Sequence, residues 1–455
     1  MFVRYEAEWN PYGLFAQILM TSSNNDLSPS TTWQARLPIY YGWVIVAIVF
    51  TRSFTTAGAI WSTAILSVPM TEDLGWSGSE IFAGIALRTF GAAIGAFFLG
   101  KYLDSTRGAP FLAVFSGMVS GLGLILVSFI DSQWQFWLIF GVMSGLFGAG
   151  PAGLLMAALV PKWFVKKRGR TMALASMGTG FAAMTLPLIV PPFVEAFEWR
   201  TTFLFMGFAT LVLTVPPALF LKTRPEDVGL RTDGDKGSKE SSNQAAARQP
   251  ERNLTAKQAF RTPTLWLLVG AAFCGSFSPT AYPTNLVPTY VDLGFALQLS
   301  GQAFAAYGFT SFFGRFFWGW LADRIHIRHA LMIVAAYSGV TVPLLQVLPG
   351  DSVLMAGAIA GFGIGGWVGL NQVVWAAYFG RANLGAITGK VRPLITVSGG
   401  SGPLLVAGMA DYFGGFGVGI MVMAMSWFIC GAFLFLVRPV KTIEQPTTSP
   451  VTGVT

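Results

Sequence analysis

From Tyr41 to Val437, apolar stretches alternate with short polar breaks. A helix that crosses a bilayer needs about 20 residues at about 1.5 Å rise each. Stretches that meet this length fall near 41–67, 79–103, 109–130, 135–159, 170–194 and 200–221. A second group falls near 264–291, 300–322, 329–349, 353–379, 386–409 and 415–438. The pattern predicts twelve transmembrane helices. Between the groups lies the longest polar stretch of the core, 222–262, whose centre (Gly234–Asn253) is rich in charge, Ser, Gln and Gly and too polar to fold on itself. The chain divides accordingly into a tail (1–40), a six-helix half (41–221), a central loop (222–262), a second six-helix half (263–438) and a short C-terminal tail (439–455). The expected fold is an all-α polytopic membrane protein.

Composition strengthens this reading. Hydrophobic residues make up 53% of the 455-residue chain and charged residues 11%, against about 25% charged in a soluble protein. Two cysteines, Cys274 and Cys430, both inside apolar runs, exclude a disulfide framework, and with only two histidines no metal site or cofactor is expected. The formal charge of +8 does not point to nucleic acid. Lys101, Arg107, Lys162, Lys166, Lys167, Arg168, Arg170, Arg324, Arg328 and Arg381 fall in the breaks that face inward if the N-terminus is inside. The outward breaks hold Arg200 and otherwise acids such as Glu72, Asp73, Asp131, Glu195, Glu198, Asp292, Asp351 and Asp411. This asymmetry predicts both termini on the cytoplasmic side of a cell membrane.

The halves repeat. Helix 2 ends in Gly100-x-x-x-Asp104 and helix 8 in Gly319-x-x-x-Asp323-Arg324, with Arg328 following. After helices 4 and 10 come Trp163-Phe164 and Tyr378-Phe379, each followed by a glycine. Parallel repeats about an axis along the membrane normal are a transporter architecture.

With these residues the chain resembles the major facilitator superfamily from about Tyr41 to Arg438, and within it the monocarboxylate transporter and oxalate/formate antiporter group. Tyr40–Val44 (YYGWV), Lys162–Arg170, Glu198–Arg200 (EWR), Arg224–Leu230 (RPEDVGL) and Phe379–Arg381 carry the likeness. The resemblance implies two halves that rock around a central cavity, with Gly100, Asp104, Gly319, Asp323, Arg324 and Arg328 as the conformational motif. The first copy departs from the family pattern, with Ser105 where a base is usual.

Candidate binding residues are ionisable or polar groups near the bilayer midplane, where a charge costs about 2.5–3.5 kcal/mol or more and normally faces a wet cavity or a partner. Arg52, Arg88 and Arg315 lie there, and no Asp or Glu falls in the central third of any predicted helix. An anionic substrate would supply the missing counter-charge, and a guanidinium fork matches a carboxylate. In the resembled group a helix-8 arginine, four residues before the motif glycine, contacts the substrate carboxylate; Arg315 stands so before Gly319. Tyr307, Ser311 and Arg315 share one helical face. Arg52 and Arg88 are candidates for a second carboxylate, for gating through Glu80, or for purely structural roles. Asn285, Asn371 and Gln372 are candidates either for substrate hydrogen bonds or for helix stitching.

Two coupling groups of the resembled group are missing. Ser311 occupies a position that some proton-coupled carriers give to an acid, and Ile395-Thr396-Val397 replace a mid-helix lysine. The expected function is secondary transport of a small mono- or dicarboxylate, coupled to protons or to counter-anion exchange, by a monomer embedded in lipid. A drug or lipophile exporter of the same fold and a non-transporting sensor are the alternatives. No nucleophile, paired carboxylates or metal spacing suggests an enzyme.

Overall fold

The computed structural model describes residues 34, 37–99, 102, 108–164, 168–234, 255–379 and 384–438. Gly100 and Asp104 of the first motif copy, Gly380-Arg381 and most of both tails and the central loop lie outside the described residues.

The described residues form helices with no strand. In chain order, α1 is Gly42–Leu74, α2 Gly78–Leu99, α3 Gly108–Val127 and α4 Gln133–Trp163. The next helical run, Arg168–Leu219, has one residue with non-helical dihedrals, Glu198 at φ 65° and ψ 165°. The chain reverses there. Phe193 and Phe205 would stand about 18 Å apart along a straight helix, yet their ring centroids are 5.2 Å apart. The arms before and after Glu198 are therefore α5 and α6. Then follow α7 Pro263–Asp292, α8 Leu297–Ala322, α9 Ile327–Thr341, α10 Val353–Phe379, α11 Leu384–Phe413 and α12 Gly417–Leu436. Among the described residues, ten runs, the folded α5–α6 pair counting as one, are long and apolar enough to cross a membrane.

The Pro187, Pro191 and Pro192 cluster keeps helical dihedrals, and the break falls at Glu198, between the expected spans 170–194 and 200–221. Its neighbours explain the stability of that corner. Arg200 donates to the Ile130 carbonyl at 2.7 Å and pairs with Asp131 at 3.3 Å and Asp73 at 3.6 Å, while Trp199 Nε1 donates to Asp73 at 3.0 Å. The EWR passage is thus an anchor holding the α5–α6 corner to the ends of α1 and α3.

The other passages of the resemblance meet at the opposite end of the same half. Tyr40 donates to the carbonyls of Trp163 and Arg231 at 3.0 and 2.9 Å, Tyr41 to that of Phe220, and Trp163 Nε1 to that of Lys222 at 3.1 Å. The Pro225–Val228 turn closes on Gly229, whose φ of 73° a side chain would disfavour. Three segments distant in sequence make one plug beneath α1, α4 and α6. On the other half, Arg328 caps the end of α12 through the Val437 carbonyl, and Arg324 lies 4.2 Å from the Trp320 ring. Asp323 makes no ion pair with another described residue.

Packing within the first half is dominated by α2 on α4, α1 on α5–α6 and α3 on α5–α6; within the second, by α8 on α10, α7 on α11 and α12, and α9 on α12. Among the described residues, the halves meet chiefly through α5 with α8, α2 with α11, and α1 with α7.

Candidate functional site

Proline shapes the surface where the halves meet. A proline at position i removes the hydrogen bond to the carbonyl at i−4, so Pro187 frees the Ala183 carbonyl and Pro191 frees that of Pro187. These two carbonyls are the ones against which Gly308 and Gly301 of α8 sit, so close that a Cβ on either glycine would overlap them. Cα–H to carbonyl contacts of this kind stabilise close helix crossings. On the facing side Pro403 frees the Gly399 carbonyl, which accepts the Thr280 hydroxyl at 2.6 Å.

Between these surfaces lies a cavity of about 280 Å³. Its first wall is Ala57, Ile60 and Trp61 of α1, Ile85 and Thr89 of α2, and Thr179, Gly180 and Ala183 of α5. Its second wall is drawn from α7, α8, α10 and α11, including Thr280, Thr284, Tyr307, Gly308, Ser311 and Arg315. Arg315 is the one charged residue of this lining.

Glycines set the position of Arg315. Gly361 and Gly365 of α10 press on the backbone of Tyr307 and Ser311, and Gly314 presses on Phe362, leaving no room for a Cβ at any of the three. The apolar glycine run of helix 10 therefore brings α8 and α10 into backbone contact. Across the cavity, a Cβ on Gly180 of α5 would lie 3.8 Å from Arg315 Nη1. The guanidinium thus reaches from one half to the other. Its Nε is sealed from solvent with no hydrogen-bond partner.

The sequence candidates separate in space. Tyr307, Ser311 and Arg315 come together on the cavity wall. Asn285 is 1% exposed, donates to the Ala281 and Pro403 carbonyls at 2.9 and 3.4 Å, and stitches α7 to α11 behind the lining. Asn371 is half-buried, Gln372 is exposed, and neither lines the cavity. Arg52 and Arg88 are 2% and 1% exposed and point into the interior of the first half. Glu80, considered as a gate for Arg88, instead accepts the Ser77 N–H at 2.8 Å. Among the aromatic side chains, Trp61 and Tyr307 line the cavity, whereas Trp367 packs on Trp427 at 5.4 Å between ring centroids.

Sequence reasoning missed the cavity residues Thr179, Gly180, Thr280 and Thr284. Small and hydroxylated residues carry no charge signal, although the prolines one turn away mark the carbonyls that such residues meet.

The cavity is closed at the end where α1 joins α2. There the Asp411 carboxylate of α11 accepts the Ser79 N–H at the start of α2, at 2.8 Å, and Trp61 meets Phe304 edge-on at 6.3 Å between centroids. A carboxylate at a helix N-terminus contributes about 0.3–1 kcal/mol when exposed. Asp411→Asn is therefore expected to raise the open population at that end about two- to fivefold. A cysteine introduced at Ile60, labelled from that side by an impermeant maleimide, should react correspondingly faster. Unchanged labelling would show that the latch carries no weight.

The sequence profile described as Major Facilitator Superfamily matches residues 48–392 and 287–453. Monocarboxylate transporter 11 of Mus musculus is 24% identical over 411 residues, covering 88% of each chain. The uncharacterized MFS-type transporter YhjX of Escherichia coli (strain K12) is 24% identical over 331 residues, covering 72% of this chain and 78% of that one. The agnestins efflux protein AgnL12 of Paecilomyces divaricatus is 24% identical over 357 residues, covering 78% and 75%. Among solved structures, an inward-facing, unoccupied bacterial homolog of the human lysosomal transporter Spinster superposes with a TM-score of 0.67 at 16% identity, covering 88% of this chain and 97% of that one. Sequence profile, relatives and helical architecture agree: this chain belongs to the major facilitator superfamily, as a multi-pass membrane transporter that resembles the monocarboxylate transporter group.

Proposed function

We propose that this transporter moves a small organic anion, a mono- or dicarboxylate, by rocking its halves around the cavity that Arg315 enters. The observation that carries the reading is the single charged lining residue: a guanidinium without a counter-ion, between walls of hydroxyl and apolar groups. A carboxylate supplies the counter-charge and accepts the fork of N–H groups that arginine presents. Tyr307 and Ser311 stand on the same face of α8 to take the substrate's remaining polar groups. The named monocarboxylate transporters among the relatives support the same class.

No acid lines the cavity, so a proton would travel with the substrate, or a second anion would return in exchange. Asp323 and Arg324 belong, in this reading, to the inner conformational motif together with Gly319 and Arg328. The expected orientation places both termini inside, so the Asp411 latch is the outer closure.

The test is uptake into proteoliposomes, with labelled mono- and dicarboxylates offered with and without a pH gradient and with and without unlabelled anion preloaded inside. Saturable uptake under either drive is the expected result, and the effective drive identifies the coupling. The cavity's largely apolar lining, and a relative named as an efflux protein, favour lipophile export if no carboxylate moves.

A further inference from the structure

Arg52 and Arg88 remain unexplained by the central cavity, which neither lines. They are among the largest fully buried side chains of the chain. Arg52 Nη2 donates to Ser116 Oγ on α3 at 2.8 Å, with the Gly148 carbonyl of α4 at 3.5 Å. Its Nε and Nη1 have no partner. The Arg88 guanidinium lies 4.8 Å from the Phe140 ring centroid, and its Nε and Nη1 have none either.

Both arginines pack on one stretch of α4, Arg88 through its backbone at Gly145 and its guanidinium at the Phe140 ring, Arg52 through its guanidinium at Gly148. The Ser120 hydroxyl of α3 lies against Gly148. The buried Ser144 hydroxyl of that stretch also lacks a partner. This part of α4, Trp137–Ala149, is wound as a π-helix, a rare form that is frequent at functional sites. The described acids of this half, Glu72, Asp73, Glu80, Asp131, Glu195 and Glu198, all sit at the far end, where the helices join. Two sealed positive charges with four unpartnered guanidinium nitrogens are thus left without a counter-ion among the described residues. Such charges are normally paired when buried.

We propose that the first half holds a small inorganic anion, of the size of chloride, between Arg52 and Arg88, separate from the transported substrate. The unpartnered groups of the two arginines and Ser144 can all donate N–H or O–H, which suits an anion. The surroundings are closely packed: Gly145, Gly148, the hydroxyls of Ser116, Ser120 and Ser144 and the Phe140 ring, which suits one ion of small radius and excludes a carboxylate substrate with its carbon skeleton. The ion would tie α1, α2, α3 and α4 together and keep this half rigid as it rocks.

The test is thermal unfolding of the purified full chain in detergent as chloride replaces methanesulfonate at constant ionic strength. The wild-type midpoint is expected to rise saturably by several degrees. Arg52→Gln/Arg88→Gln should abolish the dependence, and Arg315→Gln should keep it. Ser144→Ala, which removes one uncharged hydroxyl and spares both arginines, is expected to raise the half-saturating chloride about fivefold even if the double variant does not fold. Crystals grown in bromide should show an anomalous peak beside Arg52 and Arg88. A wild-type midpoint flat across the titration overturns the proposal. So does a chloride response that survives in the double variant or disappears in Arg315→Gln, since either places the ion elsewhere. Failure of carboxylate uptake would leave this result untouched, because the two readouts depend on different arginines.

Discussion

Arg315→Gln is expected to lower carboxylate uptake about a hundredfold or more while the protein elutes and melts like the wild type. Each hydrogen bond to a charged group contributes about 1.5–3 kcal/mol, and a tenfold change in an equilibrium corresponds to about 1.4 kcal/mol. The substitution removes the fork and the charge together. Folding should survive, because the arginine is half-buried on a cavity wall and its Nε already lacks a partner. Arg315→Lys separates the two losses. It keeps the cation but cannot make the planar bidentate contact, so uptake should recover in part, with a raised KM. Wild-type uptake in Arg315→Gln would remove the arginine from the substrate path, and equal loss of uptake and thermal stability would make it structural.

The second large effect concerns Gly308. A valine there would drive its side chain into the Ala183 carbonyl, at a contact between halves. Gly95 of α2 is as tightly placed against the Leu146 carbonyl of α4, but within one half. If transport requires the halves to separate, the two sites respond differently. Gly308→Val is expected to yield folded protein with uptake reduced more than about tenfold, since the molecule relieves the overlap by opening where α5 meets α8. Gly95→Val has no such escape, and overpacking of that kind costs about 1–3 kcal/mol or more, so it should lower the melting temperature and the yield. The checks are thermal melts beside maleimide labelling of a cysteine at Ile60, in a background with Cys274 and Cys430 replaced by alanine. Similar destabilisation at both sites would argue against a separating α5–α8 contact.

Gly308 also shows how far a one-dimensional reading goes. Helical spans follow from runs of apolar residues, because a bilayer admits backbone only where its polar groups are satisfied internally. The family resemblance rested on passages such as Tyr40–Val44 and Glu198–Arg200, and both act as structural anchors, at the α4–α6 plug and at the α5–α6 corner. They mark the fold and stand away from the cavity lining.

The site was legible only where charge and helical period coincide. Tyr307, Ser311 and Arg315 share one face by spacing alone, and that face lines the cavity. Arg52 and Arg88 carried the same charge signal, yet they turn away from it. Their direction depends on where α3 and α4 stand relative to α1 and α2, which no spacing within a single helix encodes. Thr280 and Gly180 carried no signal, because their roles arise from a carbonyl freed by Pro403 and from a guanidinium reaching over from the opposite half.

By itself the sequence determined that the chain spans a membrane repeatedly, in two related halves, with three cations and no acid near the midplane. Hydropathy and period are local properties, so local order suffices for them. Only the tertiary structure decided which cation faces the cavity and which two are sealed inside a half, since that depends on the rotation of each helix about its axis. Glycines such as Gly145, Gly308 and Gly365 set that rotation by letting one backbone touch another.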